Sequence, residues 1–261
     1  MLQGEMATLK TAYAKTPSSE DEWQLSYAAW EIIQKGIEKG YAGNPIKVSD
    51  IDLHSNLLVD AFGIYERHAG QDWKIRLINN FRRNSVNDYA WMPSKLQYDN
   101  FDQLQHAARV LKAEWRQELH LGKADFKSAF KTLPPSDDQK WLCRPVIFDP
   151  IQKELVVVPI QSQAFGSLGA VVAWFRIVKL IQVIMENLFQ LVILCYVDDC
   201  FWVTPKFPKA EAPDADWVLH VFEYVTTELL GWQLDPEKSA TGVGITLLGL
   251  EVTMQSDAAL G

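Results

Sequence analysis

Asp198 and Asp199 lie side by side between two strongly apolar runs, residues 191–197 and 200–204. Taken alone, such a pair serves most often to form a turn, because Asp tolerates turn geometry and hydrogen-bonds its own backbone. The flanks argue for more. Strands that apolar belong in a core, so the turn between them is held rigidly, as a preorganised metal site requires. Upstream, Gly122-Lys123-Ala124-Asp125 sets a third carboxylate at the end of another predicted strand. Magnesium prefers oxygen ligands and takes few of them from protein. Carboxylates on two neighbouring strands could hold two ions roughly 4 Å apart, the arrangement used for in-line attack on a phosphate. Whether the strands are neighbours is left open by spacing alone.

The elements that must position these groups are legible from period and punctuation. Ser19-Asp21-Glu22 sets up a capping box for a helix with Trp23, Tyr27, Trp30, Ile33 and Ile37 at helical spacing, stopped by Gly40. Residues 73–81 are predicted as a strand. Residues 102–119 are predicted as a helix, with Leu104, Ala108, Leu111 and Trp115 on one face. Residues 119–126, 142–148 and 155–160 read as strands, the last two joined through Asp149-Pro150. Residues 167–189 form a long helix, apolar on most sides and so expected to be mostly buried. The runs 191–197 and 200–204, separated only by Asp198-Asp199, read as a tight hairpin. A Pro-rich loop, 205–213, leads to a helix capped by Asp214 or Asp216, lined by Trp217, Val221, Val225 and Leu229 and ended by Gly231. Residues 245–252 are the last predicted strand. This mixture predicts an α+β fold, an antiparallel sheet packed by helices on one face.

Composition sets bounds. Nearly half of the 261 residues are hydrophobic and ten are Trp, so the chain can bury a real core. Cys143, Cys195 and Cys200 form no C-x-x-C pair and are odd in number, which predicts a reduced chain with neither a disulfide framework nor a zinc site. His54, His68, His106, His120 and His220 show no ligand spacing. Residues 1–19 contain no apolar signal segment, and Arg176, Lys179, Glu186 and Asn187 interrupt the apolar stretch 171–197. The expectation is an intracellular protein, cytoplasmic or nuclear, without a membrane span. A net charge of −8 argues against a nucleic-acid partner, but the charge is uneven. Residues 66–131 carry 12 Lys and Arg against 8 Asp and Glu, and phosphate affinity depends on where basic groups cluster.

With these residues in view, a family resemblance becomes specific. Lys123-Ala124-Asp125-Phe126-Lys127-Ser128-Ala129-Phe130 resembles motif A of reverse transcriptases, Gln163-Ala164-Phe165-Gly166 resembles motif B, and Tyr196-Val197-Asp198-Asp199 matches motif C. The run from Lys74 through Arg76 to Arg82 resembles the fingers strand, Gly231 with Lys238 resembles motif D, and Leu248-Gly249-Leu250 resembles the primer-grip turn. The six stand in the family's order from about Trp73 to Val252. The resemblance implies a right-hand polymerase palm at 119–261, a fingers-like segment at 71–118 and an N-terminal helical extension at 1–70.

Roles follow residue by residue. The resemblance makes Asp125 and Asp198 the principal ligands of two Mg²⁺ ions, with Mn²⁺ an alternative, and Asp199 a weaker or outer ligand. Arg76, helped by Lys74, would clamp an incoming deoxynucleoside triphosphate, Arg being suited to bidentate phosphate contact. Lys238 would protonate the leaving pyrophosphate. Phe165 and Gly166 would line the nucleotide pocket, Gly166 letting backbone approach the template–nucleotide pair. Phe130, five residues after Asp125, stands where the family keeps an aromatic ring that collides with a ribose 2′-hydroxyl. The implied activity is RNA-directed DNA synthesis on an RNA or DNA template with a primer, in a retroelement such as a retrotransposon.

Departures limit the resemblance. Ser167-Leu168 replaces the usual Ser-Pro after motif B, and Asn80 stands where an acidic residue is usual. The chain stops soon after the primer-grip turn, so no thumb is expected. The competing readings are a catalytically silent, truncated or domesticated palm that binds nucleic acid or protein, and an RNA-dependent RNA polymerase, which Phe130 disfavours. Without the family, Arg76 and Lys74 read equally as a solvated strand face, Lys238 as a surface lysine, Phe130 as a core ring and Leu248-Gly249-Leu250 as a strand bulge.

Overall fold

A computed structural model describes residues 16–66, 73–81, 85–90, 92, 95–206 and 214–254. Arg82 and residues 207–213 of the Pro-rich loop lie outside them. In chain order the elements begin with α1 (Glu20–Glu38), β1 (Ile46–Lys47), β2 (Leu58–Glu66) and β3 (Lys74–Asn80). Then come α2 (Phe101–Trp115), β4 (Leu119–Asp125), β5 (Arg144–Asp149), β6 (Glu154–Val157) and α3 (Leu168–Phe189). The remainder is β7 (Leu194–Tyr196), β8 (Asp199–Pro205), α4 (Ala215–Glu223), β9 (Ala240–Gly242), β10 (Gly244–Leu247) and β11 (Leu250–Thr253). Helices and largely antiparallel sheets confirm the α+β class.

The chain divides into two compact units, each built from two stretches of sequence. The first holds residues 1–93 and 130–171, the second 94–129 and 172–261. In the first unit a five-stranded sheet runs β1-β6-β5-β2-β3, antiparallel except for the β2–β5 pair. Ala29, Trp30 and Ile33 of α1 pack on Ala61, Ile147, Val156 and Val158. Ser19 caps the helix by accepting from Glu22 N–H, while the Glu22 carboxylate accepts from Ser18 N–H at 2.7 Å. Tyr27 of the predicted apolar stripe is exposed.

In the second unit an antiparallel sheet runs β7-β8-β4-β9. Leu119, Leu121, Phe201 and Val203 share one face and pack with Leu104 of α2 and with Ile245 and Leu247. The period of two sends Trp202 to the other face, where its ring meets Phe222 of α4 at 5.8 Å. Helices therefore flank this sheet on both faces, a correction to the one-sided packing expected from sequence. Gly122 faces Trp202 across β4 and β8, and a Cβ there would overlap the indole ring. Only glycine fits beneath that ring.

Boundaries and burial differ from the expectation too. Helix α2 starts one residue early, capped by a reciprocal Asn100–Gln103 box, and ends at Trp115 because Arg116 turns left-handed. On α4 the cap is Asp214, and the buried face is Ala215, Val218 and Phe222, so Trp217 is exposed. The predicted strand 245–252 is a hairpin, β10 and β11. Helix α3 buries the stripe Ala170, Trp174, Val178, Ile181 and Met185 but exposes Leu180, Val183 and Leu188. Only 28% of its most apolar window is buried, so the expectation of a mostly buried helix fails. It is long and apolar enough to cross a membrane by length and composition.

Candidate active site

Strands β4 and β8 are neighbours. Their antiparallel register runs from Leu119 opposite Pro205 to Asp125 opposite Asp199, so two of the three aspartates are direct cross-strand partners at the same end of the sheet. Facing residues in an antiparallel pair stand about 5 Å apart at Cα. The third carboxylate is in the hairpin loop. Tyr196 pairs with Asp199, which makes Val197 and Asp198 the loop and Asp199 the first residue of β8. The sequence placed this turn one residue too late.

The turn is strained in an identifiable way. Val197 has φ of 58° while Asp198 does not, the pattern of a type II′ turn, whose first loop position favours Gly. A β-branched residue there costs of order 1–3 kcal/mol and persists only when its surroundings hold it. One such hold is Trp174 on α3, whose buried indole N–H donates to Val197 O at 3.1 Å. The other strand of the hairpin is fixed by Asp99. Its carboxylate accepts from Cys195 N–H at 2.8 Å and from the Gln182 amide at 2.6 Å, and its own N–H donates to Cys195 O. Neither Trp174 nor Asp99 was singled out from sequence, because side-chain bonds to distant backbone leave no periodic trace.

Lys238 reaches the same place. Asp235 N–H donates to Asp125 O, Lys127 N–H donates to Gln233 O, and Phe126 bridges to Leu234, so segment 233–235 is docked along the end of β4. The Lys238 ammonium then donates to Asp125 Oδ2 at 3.0 Å and lies 3.9 Å from Asp235 Oδ2. Burial pulls the lysine's pKa down, but the hydrogen bond to Asp125 and the charges of Asp125, Asp235 and Asp198 outweigh it and hold the pKa above the ordinary lysine value. Asp199 is pushed up to about 6, first by burial, then by the charges of Asp198 and Asp125. The ammoniums of Lys238 and Lys123 pull the other way without cancelling that rise. Among the described residues, no group of three or more His, Cys, Asp or Glu forms a cluster that could hold a metal ion as it stands.

Leu248-Gly249-Leu250 falls on the β10–β11 turn. Leu248 and Gly249 both have positive φ, 50° and 81°, as a type I′ hairpin requires, and Leu247 pairs with Leu250. Lys123 of β4 donates to Thr246 O at 2.7 Å and so ties this hairpin to the strand that carries Asp125.

The other predicted site residues belong to the first unit. Lys74 pairs across β2–β3 with Glu66, and the Arg76 guanidinium forms an ion pair with that same Glu66. Phe130 and Phe165 meet edge to face at 6.2 Å. Gly166 has φ of 96°, and a Cβ on it would come within 2.9 Å of Asn79 O, so the glycine is required by its approach to β3. Asn87, unnoticed in the sequence, pins this corner: its amide donates to Gly166 O, and its carbonyl accepts from Leu168 N–H, both at 2.9 Å.

No family model matches the chain, and no curated protein matches it in sequence. Among solved structures, the foamy viral protease–reverse transcriptase in complex with double-stranded DNA matches with a TM-score of 0.55 at 16% identity. The match covers 88% of this chain and 34% of that one, so this chain spans about a third of that protein's length. At such identity the likeness is one of fold alone.

Proposed function

We propose that the chain is the fingers-and-palm part of an RNA-directed DNA polymerase of retroelement type, which adds deoxynucleotides to a primer 3′-end. The observation that carries this reading is the cross-strand pairing of Asp125 with Asp199, with Asp198 in the adjoining loop and Lys238 bonded to Asp125. The fold shared with part of a reverse-transcriptase-containing protein supports it, as does the order of the six motifs. The duplex held by that neighbour supports a primer–template partner.

The donor set suits magnesium. It is all oxygen, and Mg²⁺ takes one or two protein carboxylates while water and substrate phosphates complete the octahedron, so a closed cage of three is not needed. Asp199, lifted first by burial and then by the charges of Asp198 and Asp125, is a carboxylate whose charged form a divalent cation would stabilise. Asp125 and Asp198 would hold two Mg²⁺ ions, or Mn²⁺, with Asp199 as the weaker ligand. Ions bound there would activate the primer 3′-hydroxyl and neutralise charge on the triphosphate. The rest is positioning by the chain itself. Arg76 and Lys74 would orient the triphosphate, Arg76 leaving Glu66 to do so. Phe130, in edge-to-face contact with Phe165, would bar a ribose 2′-hydroxyl, and Gly166 would let backbone approach the template–nucleotide pair. Lys238 would keep a proton available for the leaving pyrophosphate, and the Leu248-Gly249-Leu250 turn would hold the primer strand.

A second reading, a silent palm that binds without polymerising, is favoured by Arg76 and Asp125 each being engaged by a partner of opposite charge within the chain. Extension of a primer on an RNA template with Mg²⁺ or Mn²⁺ separates the two. The polymerase reading expects deoxynucleotide incorporation that falls to background in Asp125→Ala and Asp198→Ala, and Phe130→Ala admitting ribonucleotides. Full activity in Asp198→Ala would sink the metal-site assignment. Primer–template binding without extension in the unaltered chain would select the silent palm.

A further inference from the structure

We propose that Cys195 and Cys200 are a reversible thiol–disulfide pair that clamps the stem of the Val197-Asp198 hairpin. The two are register partners on β7 and β8, one step below the Tyr196–Asp199 pair that closes the loop. Their sulfurs are in direct contact, 2.7 Å apart. Both thiols are free as they stand.

The backbone explains why they meet. Cys195 N–H donates to Asp99 Oδ2, and Cys195 O accepts from Asp99 N–H, so both polar groups of Cys195 point away from β8. Cys195 and Cys200 therefore face each other as a non-hydrogen-bonded pair. That is the position where antiparallel strands come closest, about 4.5 Å between Cα atoms. The spacing falls within the 4.4–6.8 Å that disulfides span, so bridging needs little movement of either strand. Cys143, the remaining cysteine, belongs to the other unit.

Formation of the bridge removes one hydrogen from each thiol and two electrons from the pair. A low-molecular-weight disulfide such as oxidised glutathione accepts them through a mixed disulfide, its own S–S bond breaking to leave two thiols. Both cysteines are buried, so exchange proceeds through local opening. Strand β7 is three residues long and at the edge of its sheet, so opening has to break only its short pairing with β8 and the two bonds to Asp99. Asp198 and Asp199 lie inside the loop that the bridge closes. Oxidation thus fixes the carboxylate turn, and reduction releases it. The proposal does not depend on the polymerase assignment.

The test equilibrates the full chain with oxidised glutathione under native conditions, blocks remaining thiols with N-ethylmaleimide in denaturant and digests with trypsin. Peptide 180–206 carries both cysteines. It is expected unalkylated and lighter by two hydrogens, with Cys143 alkylated, and dithiothreitol should restore all three thiols. Cys143→Ser should leave the bridge intact, and Cys200→Ser should leave Cys195 alkylated or glutathionylated. Hydrogen exchange at residues 195–201 should slow on oxidation. Full alkylation of Cys195 and Cys200, a bridge to Cys143, or a bridge formed only in denaturant would overturn the pair. A bridge that leaves exchange unchanged would overturn the clamp.

Discussion

Replacing Asp199 with Asn isolates the electrostatic cost of the carboxylate cluster. Asn keeps the size of the side chain and its place at the head of β8, and removes only the charge. Asp199 is pushed from the ordinary 3.8 to about 6, by burial first and by Asp198 and Asp125 next. That rise of about 2 units corresponds to about 3 kcal/mol at 1.36 kcal/mol per unit. The side chain is only partly buried, so solvent screening reduces the figure to about 1 kcal/mol. Between pH about 4 and about 6 the native state holds this proton more tightly than the unfolded chain does. Stability therefore falls as pH rises through that window and stays lower above it. In EDTA at pH 8, Asp199→Asn should be more stable than the parent by about 1 kcal/mol, or about 2–4 °C in Tm for a chain of this size. At pH 4 the two should coincide. Millimolar Mg²⁺ should stabilise the parent more than the variant. Urea unfolding at the two pH values decides the matter. A variant less stable at pH 8, or a difference independent of pH, would show that burial and its neighbours' charge do not work against ionised Asp199.

Trp174→Phe keeps a ring in place but removes the N–H that holds Val197 O, leaving a strained turn with an unmet carbonyl. Equilibrium unfolding should register a loss of about 2 kcal/mol, and a loss under about 0.5 kcal/mol would show that the bond does not hold the turn. Gly122→Ala drives a methyl into the Trp202 ring, which is fully enclosed. The expected cost is about 3 kcal/mol of stability, measured by urea titration, whereas Ser19→Ala, which removes only the cap of α1, should cost about 1 kcal/mol.

The strand carrying Asp125 and the strands flanking the Asp pair were readable because their apolar runs are long and bounded by turn-forming residues. The turn itself was misplaced by one residue for a physical reason. Asp in a loop and Val in a strand is what propensity favours, yet here Val197 takes the left-handed position and Asp199 joins the sheet. Residue pattern alone runs a single strand through Leu248-Gly249 for a similar reason, since Leu gives no turn signal, and only the family resemblance marks a turn there. Helix α3 misled through composition: apolar residues all round imply burial, but a helix buries only the stripe that meets a neighbour. The pairing of β4 with β8, and the reach of Asp99, Asn87 and Trp174 to distant backbone, are long-range facts that local pattern does not encode.

The salt bridge between Lys238 and Asp125 gives the carboxylates an internal counter-ion. A divalent cation bound at Asp125 would therefore arrive by exchange, displacing an ammonium tethered to the same chain. Part of its binding energy would go to releasing Lys238, and the freed ammonium would stay close by on segment 233–238. Under the proposed function, metal occupancy and the position of the Lys238 ammonium would then be a single linked equilibrium.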